Sequence, residues 1–164
     1  MPGSGKSTLG ILLAKSLSKN FVDTDVLLQL TLKQSLQTYL DSRGFISLRK
    51  QEEQIILRNN FSNCVISTGG SVIYSQEAME KLRNLGCAVY LDISYKTLIE
   101  RVINAETRGL ACPNDYTLKD LYTERQNLYE FYADIVIDNN FFSQEQALQQ
   151  ILHRLKLANK ERNI

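Results

Sequence analysis

The chain has 164 residues, of which 19 are Lys or Arg and 18 are Asp or Glu, so its formal net charge is +1. This balance excludes a nucleic-acid-binding protein that relies on bulk positive charge, and the longest uninterrupted apolar run, residues 87–91, is too short to cross a bilayer. Three cysteines without a pairing pattern indicate a cytoplasmic protein, and a single histidine, His153, excludes Ser-His-Asp catalysis and sites built from several histidines.

Short apolar runs alternate with longer segments of helical periodicity, which predicts an α/β fold with a parallel sheet in a single domain over residues 1–164. In chain order, we predict a helix over 5–17, a strand over 21–23, helices over 26–40 and 47–58, a strand over 64–68, a helix over 75–85, a strand over 87–91, a helix over 95–103, a loop over 104–116, a helix over 118–131, a strand over 135–137 and a helix over 143–157. Gly86 is expected to end the fourth helix, and Ser143 is expected to cap the last one.

The ends of the predicted strands carry most of the unusual chemistry. In open parallel sheets, ligands bind at the carboxyl ends of the strands. The residues at those ends are Asp23, Asp25, Gly69, Gly70, Asp92 and Asp138. We therefore expect the functional residues to lie along one edge of the sheet. The loop over 104–116 has a length that is often functional in compact domains.

Residues 2–8 read Pro-Gly-Ser-Gly-Lys-Ser-Thr and match the end of the phosphate-binding pattern G-x-x-x-x-G-K-[ST]. The glycines of such a loop turn backbone N–H groups toward phosphate oxygens, and the following helix adds the positive end of its dipole. Lys6 is expected to reach the terminal phosphates of ATP, and the Ser7 hydroxyl to bind Mg²⁺. The expected nucleotide-binding residues in this segment are Gly3, Ser4, Gly5, Lys6, Ser7 and Thr8. The alternative is a glycine-rich turn that only begins a helix.

The phosphate-binding pattern lacks its first glycine, whose position would fall before Met1. The strand that ordinarily precedes such a loop is also missing from the sequence. We therefore expect a chain trimmed or started late, with a sheet that lacks its first strand. Such a loss would weaken both stability and ATP binding.

Asp23 and Asp25 follow the first predicted strand and are separated by one residue. Residues i and i+2 of an extended segment lie on the same face. One carboxylate can serve Mg²⁺ while the other accepts a proton from an attacking hydroxyl group. The alternative is a solvated turn in which Asp25 caps the helix predicted over 26–40.

Taken together, these motifs resemble the shikimate kinase family, in the nucleoside-monophosphate-kinase-like branch of P-loop proteins. The similar segments within residues 2–139 are the loop Gly-Ser-Gly-Lys-Ser-Thr, Asp23-Thr24-Asp25, residues 44–52 with Gly44, Arg49 and Glu52, the run Ser67-Thr68-Gly69-Gly70, Arg108 with Leu110, and Arg125 with Tyr129. The departures are Phe45, Leu48, Ser71 in place of a third glycine, and Gly109 in place of a proline. The resemblance implies a three-layer P-loop kinase fold with a central parallel sheet and a mobile lid over 104–116.

The resemblance also implies an activity, the ATP-dependent phosphorylation of the 3-hydroxyl of shikimate. Its substrate would be held by Asp25, Arg49, Gly69, Gly70 and Arg125. Asp25 would orient or deprotonate the 3-hydroxyl, and Glu52 would orient Arg49 without touching the substrate. Paired arginines suit the substrate because a guanidinium group binds a carboxylate through two parallel hydrogen bonds.

On the nucleotide side, the resemblance implies that Asp23 supports Mg²⁺ together with Ser7. Lys6 and Arg108 would meet the transferring phosphoryl group, and Arg101 would pack near the adenine. Phosphoryl transfer depends mainly on positioning and on neutralising charge, which these cations would supply. Each arginine could instead be an ordinary surface cation, and Gly69 with Gly70 a simple turn.

Two further functions stay open at this point. One is a kinase for another small hydroxy acid such as gluconate, and the other is a nucleotide-binding remnant without turnover. Ser71, Gly109 and the missing loop glycine favour the remnant, whereas the joint presence of the expected catalytic residues favours an enzyme. A near-neutral chain without exposed heptads is expected to be a monomer.

Overall fold

The structure is a computed structural model and describes residues 1–103, 116–140 and 142–162. Their order is α1 (Lys6–Leu17), β1 (Asn20–Asp23), α2 (Thr24–Leu32), α3 (Leu36–Arg58), β2 (Cys64–Ser67), a short 3₁₀ turn (Val72–Tyr74), α4 (Gln76–Leu85), β3 (Val89–Asp92), α5 (Tyr95–Ile103), α6 (Leu118–Tyr132), β4 (Ile135–Asp138) and α7 (Gln144–Arg162). The predicted α/β alternation is confirmed. The lid predicted over 104–116 lies outside the described residues, except for Tyr116.

The strands pair in parallel, as predicted. β1 pairs with β2 from Asn20 opposite Cys64 to Asp23 opposite Ser67. β3 pairs with β4 in the same way, and Asp92 lies opposite Asp138. Within the described residues these are two separate two-stranded sheets, and a cavity of about 390 Å³ is lined by residues of both β2 and β3. The expected central sheet is therefore present as two halves.

Helix α1 packs against both halves. Its Leu9 and Leu13 share a core with Leu91 of β3 and with Ile135 and Ile137 of β4. On its other side, Gly10 lies so close to the first half that a methyl group there would overlap the Ser67 hydroxyl and come within 2.7 Å of the Phe21 ring. The helix that follows the phosphate loop is thus fixed against the strands that carry the rest of the site.

The single helix predicted over 26–40 is wrong. α2 ends at Leu32, and Lys33 takes a left-handed conformation with φ 54°. A new helix begins after Ser35, whose Oγ accepts a hydrogen bond from the Thr38 backbone N–H. The leucine periodicity continues across this turn because both helices contribute to one core around Leu28 and Leu48.

The helix predicted over 47–58 is the second part of α3. Gly44 interrupts α3 with φ 77° and ψ 167°, values that lie outside the helical region and that glycine adopts without strain. The third predicted strand is displaced and runs over Val89–Asp92. Gly86 ends α4 as predicted, although its φ of −178° is extended backbone. Ser143 also caps α7 as predicted, since its Oγ accepts from the Gln146 N–H.

No helix in the described parts of the chain is long and apolar enough to cross a membrane.

Candidate active site

The phosphate loop has the backbone conformation that its glycines permit. Gly3 and Gly5 adopt positive φ angles of 68° and 88°, and α1 begins immediately afterwards at Lys6. Ser4 is buried, and its Oγ donates to the Met1 carbonyl at 2.9 Å. The Lys6 Nζ donates to the same carbonyl at 2.7 Å. The loop therefore curls around the Lys6 ammonium group at the amino end of a helix, where an anion is favoured.

Two polar side chains, those of Asn139 and Arg101, donate hydrogen bonds to backbone carbonyls of the phosphate loop. The Asn139 Nδ2 donates to the Ser4 carbonyl at 2.9 Å, and Arg101 donates to the Asn139 carbonyl at 2.9 Å and to the Gly3 carbonyl at 3.4 Å. The sequence interpretation missed Asn139, although its place directly after β4, at the ligand edge, is a usable signal. Arg101, which the resemblance places near the adenine, binds the backbone of the phosphate loop.

The two acidic residues at the carboxyl end of β1, Asp23 and Asp25, make different contacts. Asp23 Oδ1 accepts from the backbone N–H groups of Asp25 at 2.9 Å and Val26 at 3.4 Å, so Asp23 caps α2. The alternative in which Asp25 is the cap is therefore wrong. The other oxygen of Asp23, Oδ2, accepts from the Ser7 Oγ at 2.6 Å.

A magnesium ion fits this pair of residues. Ser7 and Asp23 offer a hydroxyl and a carboxylate oxygen, and Mg²⁺ prefers oxygen ligands. Mg²⁺ at nucleotide sites keeps several waters and takes other ligands from phosphates, so two protein oxygens suffice. They lie beside Lys6, where those phosphates are expected.

Asp25 and Glu52 approach the same glycine. A methyl group on Gly69 would overlap the Glu52 Oε1 and come within 2.7 Å of the Asp25 Oδ1. The Gly69 N–H donates to the Thr24 Oγ1 at 2.9 Å, which fixes the turn against the start of α2. Gly69 is required here because only a residue without a side chain leaves room for both carboxyl groups.

Burial, and secondly the neighbouring charge of Asp25, raise the pKa of Glu52 from 4.5 to about 8. The charges of Arg125, Arg49 and Lys6 act in the opposite direction. The Ser71 hydroxyl donates a hydrogen bond to Glu52 Oε2. Glu52 is thus central to the site, beyond the supporting role toward Arg49 that the resemblance implies.

The two arginines predicted to bind substrate meet at Tyr74. The Arg49 guanidinium carbon lies 3.6 Å from the centre of the Tyr74 ring, and that of Arg125 lies 5.4 Å from it. Arg125 is only 2% exposed, and its Nε donates to the Tyr74 hydroxyl at 3.3 Å. Phe45 covers Arg49 at 5.1 Å, so this departure from the family pattern supplies a second aromatic contact. The sequence analysis did not identify Tyr74 as a site residue, and it did not predict the 3₁₀ turn that carries Tyr74.

Gly70 lies between Arg125 and Pro2 of the phosphate loop. A methyl group on Gly70 would lie 3.1 Å from Arg125 Nη1 and 3.9 Å from Pro2 Cδ. The Tyr129 hydroxyl donates to the Gly70 carbonyl at 2.6 Å. The acceptor side and the nucleotide side predicted from the sequence are therefore adjacent at one edge of the strands. Thr8 lies in the first turn of α1, and Arg108 lies outside the described residues.

The family model described as Shikimate kinase matches residues 2–156 of this chain. A relative from Rippkaea orientalis, named shikimate kinase, is 34% identical over 160 residues, which cover 94% of this chain and 84% of the relative. A second shikimate kinase, from Clostridium botulinum (strain Okra / Type B1), is 35% identical over 160 residues. These residues cover 95% of this chain and 92% of the relative.

Solved structures agree with these matches. The structure of shikimate kinase from Acinetobacter baumannii in complex with shikimate matches this chain with a TM-score of 0.83 and 26% sequence identity. The match covers 96% of this chain and 89% of the Acinetobacter baumannii chain. Shikimate kinase from Aquifex aeolicus has a TM-score of 0.81 and 32% identity, with coverage of 95% and 92%. The three-layer P-loop kinase fold predicted from the resemblance is confirmed.

Proposed function

This chain belongs to the shikimate kinase family, so its activity is the ATP-dependent phosphorylation of shikimate, and we propose that the site described above carries out this reaction at the 3-hydroxyl group. The observation that carries the proposal is the convergence of two arginines and a carboxylate beside a phosphate-binding loop. Family membership also decides between shikimate and the alternative acceptor gluconate.

On the acceptor side, Arg49 and Arg125 bind the carboxylate of shikimate. Their guanidinium groups both lie against Tyr74, which limits their motion and reduces the entropy lost on binding. Asp25 accepts hydrogen bonds from the ring hydroxyls and orients or deprotonates the 3-hydroxyl. Gly69 and Gly70 let the backbone lie directly against the ring.

On the nucleotide side, the backbone N–H groups of residues 3–8 cradle the phosphates of ATP. Lys6, which now donates to the Met1 carbonyl, exchanges that acceptor for phosphate oxygens. Ser7 and Asp23 would hold Mg²⁺, which would supply positive charge to offset that of the phosphates. Arg108 adds positive charge to the transferring group, and Arg101 adjoins the adenine while it supports the loop.

The proposal extends to the domain organisation, the oligomeric state and the cellular location of the protein. We propose one shikimate-kinase-like domain over residues 1–164, acting as a monomer in the cytoplasm. The near-neutral composition and a shared core between α1, β3, β4 and α7 support this organisation.

The test is ADP release from Mg²⁺-ATP, measured with shikimate, with gluconate and without an acceptor. We expect release that depends on shikimate, with gluconate no better than the blank. Equal ADP release with and without shikimate would show ATP hydrolysis that is independent of the acceptor and would contradict the proposal. ATP binding without any ADP release would instead support the nucleotide-binding remnant.

A further inference from the structure

Ser71 occupies the position where the family pattern has a third glycine, and its side chain contacts another residue of the site. The residue is 4% exposed, and its hydroxyl donates a hydrogen bond to Glu52 Oε2. Glu52 belongs to α3, one helical turn after Arg49. A buried hydroxyl therefore links the Gly69–Gly70 turn to the helix that presents one of the substrate arginines.

The carboxyl group that Ser71 contacts is surrounded by the proposed binding residues. The charged and titratable groups that face it are Lys6 of α1, Asp25 of α2, Arg49 of α3, and Arg125 and Tyr129 of α6. Both Glu52 and Asp25 also approach the space that a methyl group on Gly69 would occupy. Whether Glu52 carries a charge therefore changes the net charge of the pocket that binds an anion.

We propose that Ser71 is a positioning residue of the acceptor site, whose hydroxyl holds the Glu52 carboxyl in place and favours its ionised form, and thereby sets the pH range over which the pocket binds the shikimate carboxylate. This inference rests on the proposed function. Ser71 itself does not touch the reacting atoms.

A hydrogen bond donated to a carboxylate stabilises its charged form, so the Ser71 hydroxyl opposes the effect of burial on the pKa of Glu52. Neutral Glu52 leaves the positive charges of Arg49 and Arg125 fully available to an anion, whereas ionised Glu52 offsets one of them. The KM for shikimate is therefore expected to rise as the pH passes through about 8.

Removing the hydroxyl should move this rise to higher pH. A hydrogen bond to a charged group is stronger than one between neutral groups, and solvent or local relaxation replaces part of its effect when it is lost. We expect the midpoint of the KM rise to move up by about one pH unit in Ser71→Ala and in Ser71→Gly. Ser71→Thr keeps a hydroxyl and should restore the original midpoint.

Chain geometry offers a matched control. Ser75 also donates to a glutamate of α3, since its Oγ lies 2.6 Å from Glu53 Oε1, and it caps α4. Ser75→Ala should lower stability through the lost cap and leave the KM midpoint in place. Glu52→Gln should abolish the rise of KM in this range.

The experiment measures kcat and the KM for shikimate between pH 6.5 and 9.5 for the wild type and these variants, at saturating Mg²⁺-ATP. A KM midpoint that moves in Ser71→Ala or Ser71→Gly, returns in Ser71→Thr and stays in Ser75→Ala supports the inference. A wild-type midpoint in the folded Ala or Gly variant, with normal shikimate turnover, would overturn the inference alone. Absence of shikimate turnover in the wild type would overturn the proposed function and the inference together.

Discussion

Asp25 is the proposed base of the acceptor site. Its Oδ1 approaches Gly69 in the turn that is proposed to contact the shikimate ring, and Asp23 takes over the capping of α2. We expect Asp25→Asn to lower kcat by roughly 10²–10⁴-fold, the usual contribution of general-base catalysis, with little change in ATP affinity. Steady-state kinetics and nucleotide titration measure the two effects. Asp41→Asn, at an exposed position of α3, is the control and should behave as the wild type.

Arg125 tests the acceptor side. Arg125 is buried against Tyr74 and beside Gly70. A lysine at this position would keep the positive charge but would lose the planar guanidinium group that binds a carboxylate through two hydrogen bonds. We expect Arg125→Lys to raise the KM for shikimate about 10- to 100-fold, corresponding to a lost hydrogen bond to a charged group. Initial rates at varied shikimate provide the measurement. An unchanged KM in a variant with a normal unfolding transition would remove Arg125 from the site.

Among individual residues, the sequence identifies most members of the candidate site, because phosphate loops and acidic pairs require particular residue types at fixed spacing. Gly3 and Gly5 have the positive φ angles that such a loop requires, and Asp25 lies beside Gly69. Asn139 and Tyr74 could not be obtained in the same way. Their contacts join segments far apart in the sequence, and an asparagine or tyrosine is ordinary in many other settings.

At the level of elements, the packing of α1 sets the position of the phosphate loop. Gly10→Ala would improve helix propensity by about 1 kcal/mol, but the added methyl group would overlap the Ser67 hydroxyl and crowd the Phe21 ring. Overpacking of this kind costs about 1–3 kcal/mol. We therefore expect a net loss of unfolding free energy in urea denaturation. Gly86→Ala is the control, since open space and an extended φ surround Gly86, and an equal loss there would contradict the packing argument.

The boundaries of α2 and α3 show what periodicity misses. Leu27, Leu32, Leu36 and Leu40 all pack on one core, so the apolar spacing gives no sign of the turn between them. The turn depends on Lys33, a residue without a marked turn preference, in a left-handed conformation. Ser35 carried the available signal, because a serine before a leucine-rich run is a common N-cap.

For the whole molecule, Glu52 links stability to pH. The folded state keeps its proton up to about pH 8, whereas the unfolded chain releases it near the ordinary value of 4.5. Between these values the folded state binds more protons, so this contribution is complete below pH 4.5 and is lost as the pH rises through 8. The free energy of unfolding should fall by up to about 1.4 kcal/mol per pH unit from this group.

Urea unfolding at pH 5.5, 6.5 and 7.5 measures this dependence. Glu52→Gln should flatten it, while Glu53→Gln, at the next position of the same helix, should leave it as in the wild type. Equal slopes for the wild type and Glu52→Gln would show that the carboxyl group at position 52 is ionised throughout the range.

The arrangement of the strands was only partly predictable. Apolar runs identify four strands and their parallel direction, and these are confirmed in the described residues. The division into two sheets, with a cavity of about 390 Å³ lined by both, fits the expectation that the sheet lacks its first strand. The strand sequences do not encode which edges meet. The shared core of α1 and α7 with β3 and β4 holds the second half in place.

The central claim is that this site transfers a phosphoryl group to the 3-hydroxyl of shikimate. The most direct measurement is NMR of the products formed from Mg²⁺-ATP and shikimate, with ADP quantified in the same sample. We predict one shikimate 3-phosphate for each ADP, and loss of both in Lys6→Met. ADP accompanied by inorganic phosphate and unchanged shikimate, or a phosphate on another hydroxyl group, would contradict the account.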